Sequence, residues 1–91
     1  MKFEWDPHKA DSNLKKHGVS FQEAASVLGD ILSITYPDPD RSATEHRFIT
    51  VGTALSGKLL MVAHTDRGEN IRIISARKTT RLERRYYEEG K

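Results

Sequence analysis

The spacing of apolar residues changes at Gly29 and changes back near residue 80. Before Gly29, the positions Phe21, Ala24, Ala25 and Leu28 recur at helical intervals; after it, apolar and polar residues alternate and β-branched side chains become frequent. A chain with short helices first, a run of strands next and one helix last predicts an α+β domain. The alternation predicts strands over 31–36, 46–52, 58–65 and 69–75. Tyr36-Pro37-Asp38-Pro39-Asp40 must be a loop, Leu55-Ser56-Gly57 a turn, and Thr65-Asp66-Arg67-Gly68 suits an antiparallel hairpin, so consecutive strands form a meander.

The ends complete the pattern. Phe3-Glu4-Trp5 alternates as a short strand, Asp6 is placed to cap a helix, and Pro7 suits its first turn. That helix runs to about residue 17, where Gly18 supplies a left-handed terminator. Ser20 and Glu23 have capping-box spacing for a second helix, with Val19 stapled onto Ala24. Thr80 and Glu83 repeat that spacing for the last helix, in which Leu82 and Tyr86 lie one turn apart. The predicted order is β-α-α-β-β-β-β-α in one domain over 1–91, with the helices covering one face of an antiparallel sheet and the other face partly open.

Charge is distributed unevenly. Residues 18–45 carry Glu23, Asp30, Asp38, Asp40 and Glu45 against Arg41, whereas 71–85 carry Arg72, Arg77, Lys78, Arg81, Arg84 and Arg85 against Glu83. Such asymmetry marks a surface that meets polyanions, and a formal total of only +2 suits a local basic site better than a protein that coats DNA. No apolar run approaches a membrane span, no cysteine is present, and the first residues lack the apolar stretch of a signal peptide, so a cytoplasmic protein is expected. The four histidines lack metal-ligand spacing, and no Gly-rich phosphate loop, serine elbow or cysteine nucleophile occurs, so neither metal nor cofactor is expected.

Several stretches together resemble a known family: Phe3-x-Trp5-Asp6, Lys16-His17-Gly18-Val19-Ser20-Phe21, Glu45-x-Arg47, Arg72-Ile73-Ile74-Ser75-Ala76-Arg77 and Glu83-Arg84-x-x-Tyr87. The chain is similar over nearly its whole length to BrnT, the toxin half of a bacterial type II toxin-antitoxin pair. The resemblance implies a compact RelE/ParE-like domain, metal-independent endoribonuclease activity, and a cognate BrnA-like antitoxin with a ribbon-helix-helix DNA-binding region. RNA is then the substrate, and DNA is met only indirectly, through the antitoxin.

Cutting RNA without a metal requires a base for the 2′-hydroxyl, fixed cations for the phosphate, and a proton for the leaving oxygen. Arginine holds phosphate with two parallel bonds and stays charged. Arg47, Arg72 and Arg77, in or at the ends of predicted strands, are the leading candidates against an ordinary solvated role. Two readings stand for His17: favourable placement at a helix C-terminus, or, as the resemblance implies, a general acid or base near the site, with Lys16 on phosphate. Glu45 shares the parity of Arg47 and either orients it, acts as base, or forms a surface ion pair. His46 and His64 are rival bases, and His64 lies on a strand that could bring it beside Arg72. Arg81 and Arg84 on the last helix are candidates for gripping the RNA backbone, against i,i+4 pairing such as Arg84 with Glu88.

A different class of reading is a non-catalytic nucleic-acid-binding or transcription-regulating module acting only within an antitoxin complex. The pair of helices around Gly18 superficially resembles a helix-turn-helix, but residues 21–28 offer no lysine or arginine to reach DNA.

Overall fold

A computed structural model describes residues 2–39 and 46–90. Their elements are β1 (Lys2–Glu4), α1 (Pro7–His17), α2 (Phe21–Val27), β2 (Ile34–Pro37), β3 (Arg47–Thr53), β4 (Leu59–Arg67), β5 (Asn70–Lys78) and α3 (Arg81–Glu89), in the order expected. The helix ends form for the reasons legible in the sequence. Asp6 accepts from the His8 N–H at 2.8 Å and Gly18 closes α1 at φ 70°. Thr80 and Glu83 form the full reciprocal capping box at α3. At α2 only half of the box appears: Ser20 accepts from the Glu23 N–H at 3.0 Å, but the Glu23 carboxylate turns to the Ser56 hydroxyl and Lys58.

The strands make one sheet in the order β1-β5-β4-β3-β2. The meander from β2 to β5 is antiparallel, as expected, whereas β1 pairs parallel with β5 at the far edge. The connectivity explains this departure. The pair α1-α2 carries the chain across the sheet from β1 to β2, and the meander then returns it to β1 with its last strand.

One face carries Leu60, Val62, Ile73 and Ala76 beneath Val19, Phe21, Ala24 and Val27 of the first two helical segments, with Trp5 edge-on to Phe21 at 6.0 Å. Burying a side chain the size of Leu60 or Phe21 contributes about 2–3 kcal/mol, which makes this layer the main stabilising one. The helices do not all lie here, as the sequence had suggested. Tyr87 of α3 is buried with Ile49, Val51 and Ala63, residues of the opposite parity, so α3 covers part of the second face. Its hydroxyl reaches Asp30 at 2.7 Å and ties α3 to the turn after α2.

His64 lies on the α1-α2 face, 5% exposed, stacked on Phe48, with Nε2 2.7 Å from the Thr50 hydroxyl and Nδ1 without a hydrogen-bond partner among the described residues. It therefore does not stand beside Arg72. Burial lowers its pKa below the ordinary 6.5, against the opposing pull of Asp66. The unfolded chain thus binds a proton at His64 before the folded one does, and stability declines as pH falls from about 6.5 towards the folded pKa. Urea midpoints taken across this window should slope downward towards acid, and His64→Gln should flatten the slope; an unchanged slope would refute the assignment.

Candidate functional site

The second face has two halves. Under α3 it is apolar, lined by Ile34, Ile49, Val51, Met61 and Ala63. Beyond that cover it is polar, and a single row crosses four strands there: Arg47 of β3 pairs with Thr65 of β4, Thr65 with Arg72 of β5, and Arg72 with Glu4 of β1. Adjacent strands are about 4.8 Å apart, so the Arg47 and Arg72 backbones are separated by about 10 Å, within reach of two long side chains converging on one group. Thr65 is buried and donates to the His46 carbonyl at 2.6 Å, which fixes the entry of the chain into Arg47.

At the end of the row, Arg72 Nη1 donates to Glu4 Oε2 at 2.9 Å and Asn70 Nδ2 to Glu4 Oε1 at 3.0 Å. These bonds, Asn70 first and Arg72 second, with the charge of Arg67, hold the Glu4 carboxyl below the usual carboxylate range. The Arg72 and Glu4 side chains remain 29% and 31% exposed, open to an incoming ligand.

Arg72 and Arg77 are five residues apart, and in a regular strand they would point to opposite faces. A bulge prevents this. Ala63 pairs with Ser75 and His64 with Ile73, leaving Ile74 as the extra residue, so Arg77 opposite Met61 returns to the face of Arg72. Arg77 is not idle there: its Nη1 and Nη2 donate to both oxygens of Glu83 at 2.8 and 2.9 Å. Burial by itself would raise the Glu83 carboxyl, but the bonds from Arg77 and Thr80 and the Arg77 charge together outweigh it and hold the group low, while the same contact raises the Arg77 pKa. Tyr36 stands near the pair, its phenol pushed up by burial and then by the Glu83 charge.

The structure thus sets Arg47 and Arg72 in one row and Arg77 on the same face, four positions along β4 from that row and against Glu83 of α3, and it leaves the rest out of the row. Lys16 and His17 are exposed at the end of α1, which packs on the other face through Ala10 and through the bonds of Asn13 to Ala76. Arg81 and Arg84 point outward from α3. Arg84 is 3.6 Å from Glu88 and lines a hollow with Gly57, Lys58 and Lys78, whereas Arg81 lines one with Leu82, Arg85 and Glu88. Glu45 lies outside the described residues. Sequence reasoning missed Glu4 and Asn70. The one available signal was that Glu4 has the opposite parity to Phe3 and Trp5, which packed inward; its pairing with Arg72 has no local signature.

No helix among the described residues is long and apolar enough to cross a membrane. A family model described as the ribonuclease toxin, BrnT, of type II toxin-antitoxin systems matches residues 5–83. The fold is similar to that of the crystal structure of the Brucella abortus ribonuclease toxin, BrnT, with a TM-score of 0.69 at 24% sequence identity, covering 89% of this chain and 99% of that one. No curated protein matches the sequence closely.

Proposed function

Since the chain belongs to the BrnT family of ribonuclease toxins from type II toxin-antitoxin systems, we propose that it cleaves RNA without a metal ion, on the polar end of the sheet, and arrests growth by doing so. The observation that carries this reading is the row in which Arg47 and Arg72 flank Thr65 on an open face, with Arg77 turned to the same side by the bulge. Two guanidiniums held on β3 and β5, either side of β4, can grip one phosphodiester from both sides and offset the extra charge of its pentavalent state. Being fixed in strands, they need little rearrangement as that charge develops. Arg77, engaged with Glu83, acts at the border of the site and fixes the start of α3.

Arg81 and Arg84, with Lys58 and Lys78 near the latter, extend a positive surface along which flanking RNA backbone can run. For Lys16 and His17 the geometry favours the helix-end reading over chemistry at the arginine row, because the sheet lies between.

A toxin of this class implies an antitoxin partner. We take that partner to be a BrnA-like ribbon-helix-helix protein that covers the row with carboxylates and makes the DNA contacts of the complex itself. The deciding experiment incubates the purified chain with RNA in EDTA. Cleavage is expected, with loss of activity when the antitoxin is added in equal amount. Intact RNA at every protein concentration would leave the non-catalytic module as the better account.

A further inference from the structure

Gripping the phosphate is only part of the reaction; the 2′-hydroxyl needs a proton acceptor on the same face. His64 is buried on the other side of the sheet, His17 lies at the exposed end of α1 on that same side, and Glu83, only 17% exposed, is clamped by both Arg77 nitrogens at the start of α3, off the Arg47-Arg72 row. Glu4 differs from all of these. It closes the arginine row, its two oxygens are fixed separately by Asn70 and Arg72, and each oxygen retains a second acceptor direction on a side chain that is 31% exposed. A phosphate drawn to Arg72 therefore arrives beside a carboxylate already oriented by that arginine and by Asn70.

Resting on the nuclease reading above, we propose that Glu4 is the general base of this site. The 2′-hydroxyl proton passes to a Glu4 oxygen as the 2′-oxygen forms its bond to phosphorus. The bond from phosphorus to the 5′-oxygen breaks, and that oxygen leaves with the electron pair and takes a proton from water. The hydroxide so formed removes the proton from Glu4, which restores the carboxylate. The products are a 2′,3′-cyclic phosphate and a free 5′-hydroxyl.

The groups facing Glu4 are Lys2 on its own strand, Asn70 and Arg72 on β5 and Arg67 on β4, with Arg47 further along the row. This cationic setting keeps the carboxylate ionised, and thus able to accept a proton, to a lower pH than an isolated glutamate. The acid limb of the wild-type rate profile should accordingly fall below the ordinary carboxylate range.

The test uses the full chain with Glu4→Gln and Glu4→Asp. Cleavage is followed against pH, and binding by anisotropy with 2′-O-methyl RNA, which cannot react. Glu4→Gln should cut about 10²- to 10⁴-fold more slowly, the range for loss of one general acid or base, lack the acid limb, and still bind the inert RNA within a few-fold of wild type. Glu4→Asp, which keeps the charge, should retain intermediate activity and the limb, and it carries the test should the glutamine variant not fold. Cleavage by Glu4→Gln near the wild-type rate would overturn the proposal, as would a loss of RNA binding equal to the loss of rate, which would make Glu4 only a holder of Arg72. A wild-type chain that leaves RNA intact would instead overturn the nuclease reading, and this proposal with it.

Discussion

Arg72→Ala is expected to lower RNA cleavage by about 10²- to 10³-fold, the usual cost of removing one fixed donor to a developing anion, while leaving the fold intact. The two halves of this expectation are separable by magnitude. The Arg72-Glu4 contact at 2.9 Å joins side chains that are each about a third exposed, and an ion pair so placed contributes roughly 0–1 kcal/mol. Losing it cannot unfold a domain whose two apolar layers remain untouched. A large drop in rate with an unchanged urea midpoint would therefore report on the site. Arg72→Lys should recover only part of the rate, because an ammonium offers no two-pronged fork. Arg47→Ala should act in the same direction, and the double variant should fall short of the product of the two, since both cations are assigned to one phosphate. Equal rates for wild type and Arg72→Ala would remove the arginine row from the mechanism.

How much of this was legible beforehand differs from element to element. The helix caps at Asp6, Ser20 and Thr80 and the meander of β2 to β5 rest on local chemistry, and they appear where the residues dictate. The second covered face had a local signal that alternation alone passes over: Leu59-Leu60-Met61-Val62-Ala63 is apolar at both parities, as a strand with packing on both sides must be. The grouping of Arg72 with Arg77 had no such signal. It depends on one unpaired residue, Ile74, and nothing in Ile73-Ile74-Ser75 distinguishes a bulge from a regular strand. The partnership of Glu4 with Arg72 was equally hidden, because a parallel pairing across 68 positions is set by the path of α1 and α2 rather than by either residue. Sequence reasoning could therefore name the cations proposed for the site, whereas the carboxylate proposed beside them depended on topology.

The strand just beyond the bulge is held by α1, and this leads to the largest expected effect on stability. Asn13, buried in α1, donates through Nδ2 to the Val19 and Ala76 carbonyls, each at 2.9 Å, and accepts at Oδ1 from the Ala76 N–H at 3.1 Å. One amide thus ties α1 to the segment entering α2 and to β5 two residues beyond Ile74, next to Arg77. Asn13→Ala leaves these backbone groups buried without partners, each at a cost of about 1–3 kcal/mol. The three together come to about 3–9 kcal/mol, and even the lower end is a large share of the roughly 5–15 kcal/mol that usually separates folded from unfolded chains. Asn13→Asp should be little better, because a carboxylate satisfies the Ala76 N–H but faces two carbonyl oxygens with no proton to give. Urea denaturation followed by circular dichroism checks both variants. A loss below about 1 kcal/mol for Asn13→Ala, the size of a single ordinary hydrogen bond, would show that the bulged strand keeps its place without this amide and that the orientation of Arg77 is set within the sheet alone.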